Sequence, residues 1–365
     1  MPRLSARELY DKVFLKLNKF TRRLWYKKYI KKHYNELRIH NIPLRKLSRE
    51  QKNQIIKVWG EKHGKDYYTH ELIYSITGDF NPYYCSVCLF GTDIEFSLNN
   101  KNNTGVWSDK NYFDKFFPNV PFPKTIVRNI HGVFYDNNYN IIDCDTAASI
   151  ISGYDYVCVK PSLITGNGTK VAKIAVDDKV VDVFKSYGKN YLVQEILSQH
   201  QSIKAINESS VNVIRMNTLF LNGKLSVLSS SMRFGAVGSF NDNYQTPDGT
   251  GMFVVGISDD GKLKDVGYHA CGKSVTVSPN GANFAGVEIP NFEKAKELAL
   301  SIHSHMPFAR LVAFDIAFNS NGEPVIMEYN LMGIGPFYYQ LTAGPLFGER
   351  TQELIDTMRK EKILY

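Results

Sequence analysis

Hydrophobic positions recur at steps of three and four along the first part of the chain and at steps of two along much of the rest. Ala6, Leu9, Val13, Leu17, Phe20 and Leu24 keep helical spacing, opened by a capping box in which Ser5 precedes Glu8 by three residues. A second box, Ser48 to Gln51, opens a helix through Ile55, Ile56 and Trp59 that should stop at Gly60 or Gly64. "THELIYSITGDFNPYY" predicts one more short helix leaving through Gly78 and Pro82. From about residue 123 the texture changes. "TIVRNIHGVFYD", "YDYVCVKPS", "KVAKIAV" and "NYLVQEIL" are short β-branched runs between Gly, Asn and Asp turns. "SVNVIRMNTLFLNGKLSVLSSSMRFG" predicts a hairpin turning at Asn222-Gly223, "NFEKAKELALSIHSHM" a helix, and "FDIAFNSNGEPVIMEYN" another hairpin. Helices flanking antiparallel strands give an α+β fold with a cleft between lobes. The expected organisation is a helical region over 1–107, a small lobe over 108–192 and a large lobe over 193–365.

With 365 residues, 43% of them hydrophobic and 13% aromatic, the chain can bury a sizeable core. No apolar run reaches membrane-spanning length, and no apolar segment with a cleavage site suggests a signal peptide. Five scattered cysteines suit a reducing cytoplasm. Cys85-Ser-Val-Cys88 has metal or redox spacing but no second pair, and reads as two buried thiols. Charge changes the picture more. Residues 1–62 hold 18 Lys/Arg against 5 Asp/Glu, a net of +13 in a chain whose total is +8. A basic head therefore sits on a mildly acidic body. Its first helix either lies on an anionic membrane or packs on the body with its basic face in water.

"VCVKPSLITGNGTKV" ends a strand at Lys160 and continues through Thr165, Gly166, Asn167, Gly168 and Thr169. Two glycines among small polar residues let backbone N–H groups close over phosphate oxygens, with the lysine as a point charge beside them. The order of a Walker loop is absent, and taken alone the segment reads first as a hairpin turn with a surface lysine. Gln194, Glu195, Ile196 and Leu197 end an apolar strand in a way that suits an adenine slot with a backbone edge. Asn212, Arg215 and Arg233 lie in strands, where arginines are seldom buried unless paired. Their forks suit carboxylate or phosphate, or they decorate an edge strand. Glu328 and Asn330, two apart, share one strand face, with Asp315 across the turn. Three hard oxygen donors suit Mg²⁺, while an Asp–Arg pair at the sheet surface would use the aspartate differently.

In this order the parts resemble the ATP-grasp superfamily. Within it they are similar to the sugar-transfer-associated ATP-grasp proteins of bacterial capsule and surface-polysaccharide loci. The carriers are "SDKNYFDKFFPNVPFPKTIVRNIHGVFYD", "LVQEILSQHQSI", "SVNVIRMNT", "FNDN", "GTGMFVVGI", "FAGVEIPNF", "AFDIAF", "IMEYN" and "YQLTAGPLFG", from about residue 108 to 348. The resemblance implies an ATP-grasp fold, two α+β lobes with ATP between them. It implies Lys160 on the α/β phosphates, Gly166 to Thr169 closing over them, and Arg128 as a second basic phosphate ligand. Gln194 to Leu197 become the adenine hinge. Asn212, Arg215 and Arg233 steady the γ-phosphate and the activated acid, and Asp315, Glu328 and Asn330 bind Mg²⁺. Ser278-Pro279 and Gly249-Thr250-Gly251 depart from the family's usual His-Pro and double glycine, both towards the acceptor side.

The activity so implied is an ATP- and Mg²⁺-dependent carboxylate–amine ligase working through an acylphosphate in surface-polysaccharide synthesis. Its partners would be a small-molecule or glycan-linked carboxylate and an amine. The expected location is the cytoplasm, with the basic helix in peripheral contact with the inner face of the membrane, and no nucleic acid is expected. The alternatives are a kinase of a sugar-like hydroxyl using the same cleft, and a non-catalytic ATP-binding scaffold with a polybasic head.

Overall fold

The computed structural model describes residues 6–99, 104–163, 170–177, 179–243 and 246–361, with side chains from Leu17 onward, Lys62 excepted. The leading part is helical: α1 (Ala6–Ile39), α2 (Arg49–Trp59) and α3 (Tyr68–Thr77), then a π-helical turn at Phe90–Ile94. Ser5, the predicted cap of α1, lies outside the described residues. The second box forms as predicted. Gln51 N donates to the Ser48 hydroxyl and Ser48 N to the Gln51 side chain, while Gly60 closes α2. α3 stops at Gly78, whose φ of 82° is left-handed.

The smaller of two antiparallel sheets contains β1 (Thr125–Ile130), β2 (Val133–Asp136), β3 (Ile141–Ile142), β4 (Tyr156–Pro161), β5 (Ala172–Ala175) and β6 (Tyr191–Gln194). They are ordered β3-β2-β1-β6-β4-β5. Val127, Val193 and Val159 pair across neighbouring strands and face a core shared with α4 (Cys144–Ile151) and α5 (Val180–Tyr187). The alternate row, Arg128, Leu192 and Lys160, therefore faces the other way.

The larger sheet contains β7 (Val213–Leu221), β8 (Lys224–Phe234), β9 (Phe253–Ile257), β10 (Leu263–His269), β11 (Ser274–Val275), β12 (Leu311–Phe318) and β13 (Pro324–Asn330). Its order is β11-β10-β9-β8-β7-β12-β13. Asn222 and Gly223 turn between β7 and β8 with φ of 49° and 77°, the left-handed pair that Asn-Gly favours. One face packs Ile214, Met216, Met232, Phe234 and Phe314 against α6 (Phe292–Ser304).

The opposite face changes character along the strands. At one end Leu219, Leu221, Leu311 and Ala313 meet α2, the π-turn and α8 (Thr351–Lys360). At the other end it carries Arg215, Arg233, Asp315, Glu328 and Asn330. α7 (Phe337–Ala343) follows the loop after β13, and its Phe337 packs with Ile30 and Leu37 of α1. Tyr26 of α1 presses so closely on the π-turn that a Cβ at Gly91 would overlap its hydroxyl. The helical region is thus packed onto the larger sheet.

Candidate active site

Glu328, Asp315, Arg215 and Ser231 are successive cross-strand partners on β13, β12, β7 and β8, so all four point to one face. Asp315, only 3% exposed, sits at the centre of this row. Arg215 grips it with two donors, Nε to Oδ1 at 2.6 Å and Nη2 to Oδ2 at 3.2 Å. Arg233 approaches the same carboxylate at 3.7 Å and donates through Nε to Asp242 at 2.6 Å. Tyr339 of α7 accepts from Arg233 at 3.3 Å and lays its ring 5.2 Å from the Arg215 guanidinium. The Asp–Arg pair is therefore real, but it is buried rather than at the sheet surface. Burial alone would lower the Arg215 pKa; Asp315 and Tyr339 together outweigh it and hold it above its ordinary value. Asp242 is pushed up by burial, although Arg233 opposes the shift.

Glu328 is held from the other side. Between Asp315 and Ile316 the β12–β13 register slips, leaving Met327 as an extra residue on β13. Such a bulge unpairs a backbone group. Here the Met327 carbonyl accepts from Lys160 Nζ at 3.5 Å. Lys110 Nζ lies 3.2 Å from Glu328 Oε2. Asn330 Nδ2 completes the group, 3.2 Å from Glu328 Oε1 and 3.5 Å from Asp315 Oδ2. Burial on its own would raise the Glu328 pKa, but Lys110, Lys160 and the Asn330 amide hold it well below the usual carboxylate range. Burial pulls Lys160 below its ordinary value, and neighbouring Lys110 adds to that.

This donor set fits Mg²⁺. Among the described residues no three His, Cys, Asp or Glu side chains converge on a metal position. Two carboxylates and an amide instead suit an ion that completes its shell with water and phosphate oxygens. A half-turn of the Asn330 amide presents its oxygen in place of its NH₂.

The other predicted residues divide. Thr165, Gly166, Asn167, Gly168 and Thr169 lie outside the described residues. Just before them, the Ser162 hydroxyl is buried without a hydrogen-bond partner among the described residues. The Gln194 side chain is internal, donating to Pro123 O at 3.1 Å and Thr125 Oγ1 at 3.0 Å. Glu195 pairs with Lys124 at 2.7 Å and accepts from Tyr154 at 3.0 Å. Ile196 and Leu197 run on, half-buried, with no backbone–backbone hydrogen bond among the described residues.

Two assignments need correction. Arg128 shares its sheet face with Lys160, but its guanidinium is engaged by Asp114 and, at 2.7 Å, by the Asn111 carbonyl. The second cation at the carboxylates is Lys110. Asn212 is fully buried, donating to Asn207 O at 2.8 Å and Gln199 Oε1 at 3.3 Å and accepting from Ser210 at 2.6 Å. It braces the entry to β7 and does not reach Asp315.

Sequence reasoning also missed Asp242, Tyr339 and Glu95. Lys110 and Asp242 fall in "SDKNYF" and "FNDN", segments that carry the family resemblance, so a closer reading of those could have found them. Glu95, just after the π-turn, has no such signal. Its carboxylate accepts from Ile334 N at 2.8 Å, while the Ile334 carbonyl accepts from Arg215 at 3.4 Å. The helical region thus reaches the arginine row through one loop residue.

Lysines from the smaller-sheet side meeting carboxylates of the larger sheet define a two-lobed α+β protein with a charged cleft. The profile of the sugar-transfer associated ATP-grasp family matches residues 90–354, and the chain belongs to that family. No functionally curated protein matches it significantly. Among solved structures it is similar to VanG D-Ala:D-Ser ligase from Enterococcus faecalis, at 14% identity and a TM-score of 0.42, over 69% of this chain and 61% of that one. D-alanine–D-alanine ligase from Bacillus anthracis is similar at 14% identity and a TM-score of 0.40, over 72% of each chain. Likenesses at this level add nothing to what the family match shows.

Proposed function

We propose that this protein is an ATP- and Mg²⁺-dependent ligase that joins a carboxylate to an amine through an acylphosphate. The observation that carries the reading is the meeting of Lys110 with Glu328 and of Lys160 with the Met327 carbonyl, beside the Asp315–Arg215–Arg233 row. A carboxylate is a poor electrophile. Transfer of the γ-phosphoryl group of ATP to its oxygen makes a mixed anhydride, which an amine attacks with phosphate as leaving group.

Lys160 would turn from the Met327 carbonyl, and Lys110 from Glu328, to the phosphates. Arg215 and Arg233 would steady charge on the transferring group and on the acid. Ile196 and Leu197 would offer the adenine edge. Asp315, Glu328 and Asn330 would hold Mg²⁺, which neutralises triphosphate charge when bound. The family's association with sugar transfer favours a uronate or amino acid destined for a surface glycan as the acid.

The test is ATP-dependent hydroxamate formation from uronates and amino acids, with hydroxylamine trapping the acylphosphate. Hydroxamate with release of ADP supports the ligase. Phosphate retained on a hydroxyl of the product would replace it with the kinase, and absence of any turnover with the screened acids would remove the catalytic reading.

A further inference from the structure

The first helix carries two separate faces. Ile30, His33 and Leu37 are buried, and His33 lies 4.8 Å from the ring of Phe337 on α7. This face anchors α1 to the body. Roughly 130° round the axis, at 3.6 residues per turn, runs a second line. It begins with Leu17, Phe20 and Leu24, which are 59%, 60% and 45% exposed. The same steps of three and four then continue it as Lys27 and Lys31, with Lys28 beside them, all exposed. An apolar stripe that lay on the protein core would be covered. This one faces outward and passes directly into ammonium groups.

We infer that α1 docks the protein peripherally on a membrane surface rich in anionic lipid. Leu17, Phe20 and Leu24 would enter the boundary between headgroups and acyl chains, and Lys27, Lys28 and Lys31 would lie on lipid phosphates. Charge selects this occupant over a second copy of the chain. A second copy docked through the stripe would bring together two heads that each carry a net of +13 over residues 1–62, and like charges repel. Among the described residues no helix is long and apolar enough to cross a membrane, so the contact proposed is interfacial. The buried face of α1 keeps the body attached, and the docked helix holds the cleft near the surface.

The experiment uses the full chain, sedimented with vesicles of phosphatidylcholine alone or mixed with phosphatidylglycerol. The protein is expected to pellet with the mixed vesicles and to remain in solution with the neutral ones. Lys27→Glu, Lys28→Glu and Lys31→Glu together should lower the partition coefficient on the order of a hundredfold, and added salt should weaken the wild-type protein similarly. Leu17→Ser, Phe20→Ser and Leu24→Ser together should lower it by roughly tenfold or more even at low salt. All six positions are exposed, and an unchanged thermal transition certifies the fold; Phe20→Ser alone serves if the triple variant unfolds. A wild-type protein that stays in solution with both vesicles, or variants that pellet as it does, would overturn the inference. So would a dimer in solution that Phe20→Ser dissociates without vesicle binding, which would assign the stripe to a second copy.

Discussion

Asp315 and Glu328 face each other across one pair of strands, yet their charges are compensated from opposite directions. Asp315 is held by two arginines of its own sheet, one through two hydrogen bonds. Glu328 is met by Lys110, and Lys160 reaches the carbonyl beside it, both from the smaller-sheet side of the cleft. The first arrangement is internal to a rigid sheet and survives any movement of the lobes. The second spans the cleft and can exist only while the lobes are together. One carboxylate is part of the scaffold as well as the chemistry; the other is free to exchange its partners.

The strongest way to sharpen this contrast is Asp315→Asn, which leaves two buried guanidinium groups without their shared anion. Breaking a buried pair by removing one partner costs about 3–5 kcal/mol. Denaturant unfolding should show a loss on that scale, together with loss of product formation. Unchanged stability would mean that the arginines do not depend on Asp315.

Lys160→Met and Lys110→Met should behave differently. Each should lower turnover by roughly a hundredfold and raise the KM for ATP, as expected for groups that meet charge in the transition state. Their unfolding midpoints should fall less than that of Asp315→Asn, because Lys160 reaches only a backbone carbonyl and Asn330 stays on Glu328 when Lys110 is removed. A large loss of stability in either would place these lysines with the scaffold.

Arg128→Met is the converse. It should destabilise the smaller lobe by about 1–2 kcal/mol, since Asp114 is partly exposed, and leave KM for ATP unchanged. A raised KM would restore Arg128 to the phosphate site.

The smallest effect is the dependence on pH. Glu328 is held below its ordinary value of 4.5, so its contribution to stability is present above that pH and is lost as the pH falls below it. The stability difference between wild type and Glu328→Gln should shrink across that acid window. At the other extreme Lys160, pulled below 10.5, should lose its proton before an ordinary lysine does, so ATP affinity should fall on the alkaline side before pH 10.5 is reached.

These contrasts also show where sequence reading works. Alternation along a strand fixes the face of each side chain, and spacing alone put Glu328 and Asn330 together with Asp315 opposite. Arg128 came from the family resemblance alone; it does share the sheet face of Lys160, but its guanidinium is engaged elsewhere. Asp114, in the helical turn before β1, reaches Arg128 first. Lys110 sits in a short 3₁₀ segment with no period to read, and its approach to Glu328 depends on how the lobes pack. Asn212 looked available because its strand begins beside Arg215, but Gln199 and Asn207 arrive from a loop whose path no local pattern predicts. The α1 periodicity was legible, though not the fact that its Leu17–Phe20–Leu24 line would face outward.

The extra residue at Met327 has a kinetic consequence. Its freed carbonyl and the adjacent Glu328 tie Lys160 and Lys110 across the two lobes. Under the proposed function, nucleotide entry would be a displacement of these contacts instead of a simple encounter. Its observed rate should climb with ATP concentration and level off at the speed with which the contacts let go.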